Sequence, residues 1–143
     1  MKRHILTTLA IIFIYGAVVA GAKAQTMRAN VPFTFTVGQK SLPAGIYTIS
    51  VLNPTSDRPA LQIRNDDGTL SAIIQTIGVG SSLADNSKLV FRRYGEQYFF
   101  AQVQMAGEPT SLVTAKTNAE RATQRSLKRN AERSVVSIEA KQP

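Results

Sequence analysis

Arg121, Arg125, Arg129 and Arg133 recur at every fourth position near the C-terminus. On an α-helix that spacing stacks four guanidinium groups into one ridge. A guanidinium presents paired N–H donors that match carboxylate and phosphate oxygens, so the chemistry on offer is anion binding. Three like-charge i,i+4 contacts weaken a helix by roughly 1 kcal/mol in sum, a repulsion that an anionic partner relieves. The competing reading is a solvated helix face, with Glu120 and Glu132 partly neutralising it and basic residues suited to the negative end of the helix dipole.

The carboxylates offer less. Asp57, Asp66, Asp67, Asp85, Glu96 and Glu108 all fall in segments that read as turns. Two acids meeting in a cleft would suit acid/base hydrolysis, but turns select Asp for local reasons. Asn65-Asp66-Asp67-Gly68 lacks the alternating oxygen ligands and distal Glu of a calcium loop, and reads as a hairpin turn. Gly78-Val79-Gly80-Ser81-Ser82 lacks the Lys and the spacing of a phosphate loop. Tyr47, Tyr94, Tyr98 and Phe99 are candidate contacts for sugar or lipid, set against the common use of aromatics to fill small β cores.

What is missing narrows the field further. The chain has no Cys and no Trp, and its only His is His4. Disulfides, thiolate metal sites and cysteine nucleophiles are excluded. Apart from His4, so are zinc sites, Ser-His-Asp triads and His-based proton transfer. No catalytic, metal or cofactor site is expected.

Lys2, Arg3 and His4 precede an almost wholly apolar run, Ile5 to Ala20, and Ala22-Lys23-Ala24 is an A-x-A site. This is the layout of a secretory signal peptide, with cleavage expected after Ala24 and a periplasmic or extracellular destination. The run is short for a membrane span and ends in small residues, which favours cleavage over an anchor. Residues 25–115 carry 7 Lys+Arg and 6 Asp+Glu, whereas 116–143 carry 7 and 3. The basicity therefore belongs to the C-terminal segment.

These groups need a scaffold, and β periodicity supplies it. Lys88–Met105 reads as a hairpin turning at Gly95-Glu96. That register sets Phe91 opposite Phe100 in an aromatic pair, and Arg92 opposite Phe99 in a cation–π pair. Phe99 and Phe100 point to opposite sides of the sheet, so this strand is expected to be covered on both. Ala29–Val37 alternates as one strand, with Pro32 marking an edge. Ile46–Leu52 buries Tyr47, Ile49 and Val51, and Leu61–Arg64 and Thr69–Ile77 flank the Asp-Gly turn. Residues 78–87 read as a loop, and Ser111–Ala115 as a short strand.

At Thr117 the period changes to about 3.6. Thr117 with Glu120 is a capping box, and a helix is expected over 118–133. Glu120 falls on its polar face, and Leu127 is the one strong apolar anchor on the other. Val135–Ile138 could return to the sheet edge as a last strand.

Val31-Pro32-Phe33 with Phe35 and Val37-Gly38, then Leu42-Pro43-Ala44-Gly45 and Tyr47, resemble a pattern of small exported β-rich bacterial proteins. Leu61, Ile63-Arg64, Lys88-Leu89-Val90-Phe91, Arg93-Tyr94-Gly95 and Tyr98-Phe99 fit the same pattern. The resemblance spans residues 29–105. It implies an exported β domain and no assigned activity.

The expectation is an all-β fold with a C-terminal α-helix, an antiparallel sandwich or small barrel of about six to seven strands. The divisions are a signal peptide at 1–24, a β domain at 25–115, and a basic helix and tail at 116–143. The expected function is non-enzymatic: an exported binding or envelope-associated protein. Its partner is anionic lipid, envelope polysaccharide or another envelope protein, and no nucleic acid is expected. The alternatives are a lipocalin-like carrier of a small apolar ligand and, further off, a carboxylate-dependent hydrolase.

Overall fold

The computed structural model describes residues 25–127 and 133–142. The expected leader at 1–24 and Arg129 lie outside the described residues. In chain order the strands are β1 (Thr26–Val31), β2 (Phe35–Val37), β3 (Lys40–Leu42), β4 (Gly45–Val51), β5 (Ala60–Asn65) and β6 (Ser71–Gln75). They continue with β7 (Ile77–Gly80), β8 (Ser87–Tyr94), β9 (Gln97–Gln104) and β10 (Thr110–Val113), then helix α1 (Asn118–Ser126) and β11 (Arg133–Ala140).

One sheet has the order β1-β4-β5-β6; the other runs β11-β8-β9-β10-β7, with β2 and β3 attached beside β9. Among the described residues the fold is thus all-β with one C-terminal helix, and it is a sandwich of two open sheets, not a closed barrel. Along one side the sheets are laced together: Arg28 and Lys141 exchange backbone hydrogen bonds of 2.8 and 2.9 Å.

Two segments expected as single strands instead cross from one sheet to the other. Ala29–Val37 breaks after Val31, where Pro32 has no N–H to give a ladder. β1 stays in the first sheet, and β2 passes to the second beside Phe99. Thr69–Ile77 breaks at Thr76, which is buried and donates both its N–H (2.9 Å) and its hydroxyl (2.7 Å) to the Pro59 carbonyl. Beyond it, Ile77–Gly80 forms β7, so that Gly78–Gly80 are strand and not the expected loop, because pairing with β10 outweighs the weak strand preference of the glycines.

The central hairpin has the expected register. Phe91 pairs with Phe100 and Arg92 with Phe99, and Gly95 turns the chain at φ 62°. A β-bulge between Val90 and Phe91 leaves Ala101 as the extra residue on β9. It resets the alternation, so that Phe100 and Val103, an odd number of residues apart, both enter the core. The Ala101 carbonyl accepts the Thr114 N–H at 2.8 Å.

Between the sheets the rings pack edge to face: Phe35 on Tyr47 (5.1 Å), Phe35 on Phe91 (5.3 Å) and Phe91 on Phe100 (5.7 Å). Such pairs add to the area that each ring removes from water. Met27, Val31, Ile49, Leu61, Ile63, Leu89 and Val103 fill the space around them.

α1 starts where expected. The Thr117 hydroxyl accepts the Glu120 N–H at 3.1 Å. The helix ends at Ser126, seven residues short of the expected limit, and Leu127 is already extended. Arg133 instead opens β11, which pairs with β8 over the whole strand, from Arg133 opposite Tyr94 to Ala140 opposite Ser87. A long ladder along an otherwise open strand edge outcompetes further helical turns.

Candidate functional site

α1 lies across the outer face of the β8–β9 hairpin, and a buried acid holds it there. Glu120 is 1 % exposed. Its carboxylate accepts Arg92 Nε–H at 2.5 Å, Arg92 Nη2–H at 3.0 Å and the Tyr94 hydroxyl at 3.0 Å. This corrects three expectations. Glu120 does not belong to a solvated face, and it closes only half of a capping box: its N–H is capped by Thr117 while its side chain turns into the sheet. Arg92 serves the carboxylate rather than the Phe99 ring. The cation–π contact falls one residue on, with Arg93 Cζ 5.7 Å from the centre of the Tyr98 ring.

Local rules place these groups. Alternation along β8 sends Phe91 into the core and Arg92 and Tyr94 to the outer face. There Tyr94 meets Phe99 edge to face at 5.8 Å. Near the first residues of β9, the Thr123 hydroxyl donates to Gln97 Oε1 at 3.1 Å. Beside this junction is an open groove of about 360 Å³ lined by Arg92, Arg93, Lys116, Gln124, Ser134 and Val135. Lys116 Nζ donates to Gln124 Oε1 at 3.2 Å.

The four-arginine ridge is not assembled as expected. Arg121 and Arg125 sit on α1, one turn apart and exposed. Arg129 lies outside the described residues, and Arg133 belongs to β11 because the helix has already ended. Among the described residues neither Arg121 nor Arg125 has a carboxylate partner; the two ion pairs there are Arg28–Asp66 and Arg92–Glu120.

The candidate aromatics are mostly internal. Tyr47 is 1 % exposed, and its hydroxyl donates to the Pro43 carbonyl at 2.6 Å. Burial, with the Asp67 charge as a smaller cause, holds its pKa above the ordinary tyrosine value. Tyr94 and Phe99 are buried and pack on each other, and the Tyr94 hydroxyl is taken up by Glu120 of α1. Tyr98 is half-buried and stacks on Phe33 at 3.8 Å, the residue left in the gap between β1 and β2. None of the four forms an open aromatic platform.

Asp57, Asp66, Asp67, Asp85, Glu96 and Glu108 all lie outside the strands and the helix, in turns or loops as expected. Asp66 pairs with Arg28 at 2.5 Å. Asp67 Oδ1 accepts both the Thr69 hydroxyl (2.7 Å) and the Thr69 N–H (3.0 Å), which lowers its pKa below the ordinary carboxylate value. The Asn65–Gly68 turn therefore uses its own oxygens locally, with Gly68 at φ 75°. Among the described residues no group of three or more His, Cys, Asp or Glu is positioned to hold a metal ion.

Asp57 and Glu108 are brought to one place. Both line a cavity of about 280 Å³ at the end of the sandwich, where the 53–59 loop faces β7 and β10. Fifty-one positions separate them in the chain, and no local pattern signals their meeting. Both remain open to water, unlike the desolvated carboxyl that general-acid cleavage uses. β7 beside them is an edge strand with Ile77 53 % and Val79 44 % exposed.

Comparison with protein-family models, with curated proteins and with solved structures found no match.

Proposed function

We propose that this chain is an exported, non-enzymatic binding protein that presents α1 to an anionic component of the cell envelope, anionic lipid or acidic polysaccharide. The observation that carries the reading is the seating of the helix. Its one described carboxylate is turned inward onto Arg92 and Tyr94, and Arg121 and Arg125 are left outward with no acid paired to them among the described residues. Lys116 and the groove beside it add to the same face. Guanidinium groups fixed on a docked helix meet an anionic surface without first having to order the segment that carries them. Export rests on the layout of residues 1–24, and the non-enzymatic reading on the lack of Cys and of any His besides His4.

The test is co-sedimentation with vesicles of anionic or zwitterionic lipid, and with an acidic glycan, at low and high salt. Binding should fall with salt, because exposed charges are screened over about 10 Å at 0.1 M. It should also fall in the Arg121→Gln/Arg125→Gln variant. Full binding by that variant refutes the assignment to α1.

A second reading, contact with another envelope protein, is favoured by the β7 edge. Its ladder groups are unpaired on one side, and Ile77 and Val79 are exposed. An extended segment could add there as a further strand. Val79→Lys should abolish such a contact without unfolding the chain, measured by cross-linking in envelope fractions.

A further inference from the structure

The cavity at the end of the sandwich has an electrostatic character opposite to that of the whole chain. The protein carries 17 Lys+Arg against 9 Asp+Glu. The residues lining this cavity include two carboxylates, Asp57 and Glu108, and neither a Lys nor an Arg. Val51, Val103, Met105 and Leu112 supply apolar wall. Neither carboxylate accepts a hydrogen bond or joins an ion pair among the described residues. The other acids with side-chain partners, Asp66, Asp67 and Glu120, lie elsewhere in the fold.

We propose that this cavity binds a short alkylammonium ion, with its charged head between Asp57 and Glu108 and its hydrocarbon against Val51, Val103, Met105 and Leu112. Neither carboxylate has a partner of its own among the described residues, so an ammonium head placed beside them meets opposite charge from both. Low-dielectric walls strengthen the attraction relative to open water. A metal ion is the poorer fit: hard cations ask for six or more oxygen ligands, and aliphatic side chains give none. The volume of about 280 Å³ lies at the lower limit of ligand cavities, which suits a compact amine rather than a lipid or an oligosaccharide. An apolar wall with a few charged groups at one end is the usual form of a small-molecule site, the walls binding and the charges selecting.

The test is a titration of the methyl-labelled full chain with n-pentylamine, n-pentanol and pentanoate, followed by methyl NMR at neutral pH. Saturable shifts of the Val51, Val103, Met105 and Leu112 methyls are expected with the amine. The alcohol and the acid should bind at least about tenfold more weakly, the equivalent of 1.4 kcal/mol. Asp57→Asn and Glu108→Gln should each weaken amine binding by a similar factor. The inference is overturned by an absence of saturable shifts with the amine, by equal binding of the alcohol, or by variants that bind as the parent does. The alcohol comparison uses only the parent chain, so it decides the matter even if a variant fails to fold. Amine binding here and anion binding at α1 are read by different probes at separate sites, so either can fail alone.

Discussion

Arg92 and Glu120, twenty-eight positions apart, meet through two N–H···O contacts of 2.5 and 3.0 Å across the interface between β8 and α1. The carboxylate is 2 % exposed at its side chain and the guanidinium 18 %. Removing one member of a buried pair leaves the other charge desolvated and unmatched, whereas replacing both with apolar groups is often nearly neutral. Glu120→Ala should therefore cost about 2–4 kcal/mol, less than a fully enclosed pair because Arg92 keeps some water. Arg92→Leu/Glu120→Leu should recover most of that loss. Urea denaturation of the single and double variants checks both. A Glu120→Ala midpoint equal to that of Gln124→Ala would show that the pair does not hold the helix.

Alkali should loosen the sandwich through Tyr47. Its folded-state pKa is raised, chiefly by burial, so the folded protein holds this proton more tightly than the unfolded chain does. Stability from that difference is complete below the ordinary tyrosine value and is lost as pH rises through the higher folded value. Tyr47→Phe gives up the hydroxyl's bond to the Pro43 carbonyl, at a cost of about 1 kcal/mol near neutral pH. It should flatten the alkaline limb. Denaturant midpoints from pH 8 upward in both proteins measure the difference.

Acid should loosen the Asp67 turn. Hydrogen bonds from Thr69 to the ionised carboxylate lower its folded pKa. Its contribution is present above the ordinary aspartate value and is lost as pH falls through the lowered one. Asp67→Asn should remove this acid dependence, seen in the amide shift of Thr69 across an acid titration. A Thr69 amide that titrates identically in the variant would assign the change to another group.

Gly95 joins β8 to β9 with φ 62°, and a Cβ there would sit 3.8 Å from the Leu127 side chain. Space is adequate, so the cost is that of the left-handed backbone alone. Gly95→Ala should destabilise by about 1–2 kcal/mol, read as a shift of the thermal midpoint. Gly95→Asn should cost less, because Asn tolerates this conformation.

Much of the scaffold could be read from residue types. The alternation of Ile46–Leu52, the Asp-Gly turn and the Gly95 hairpin register are local signals, and each matches its element. The strand switches were not legible as such. Pro32 was visible as a ladder break, but nothing local says that the next strand joins a different sheet, and Thr76 gives no warning at all. Helix length failed for a similar reason: residues after Ser126 keep a helical period, while the partner that draws Arg133–Ala140 into a strand lies some forty-five positions upstream. Glu120 was legible as a cap residue and misleading as a surface one. An acid at the third helical position serves either role, and only the arrival of Arg92 and Tyr94 decides between them.

Strand β8 has β9 on one side and β11 on the other, so its second row of backbone donors and acceptors waits for the final strand. Until residues 133–140 arrive, a folding molecule displays an eight-residue ribbon, Ser87–Tyr94, open to any extended peptide that passes. Chains cut short before that point should clump instead of remaining dispersed, and a synthetic peptide copying 133–140 should rescue them by occupying the vacant rail.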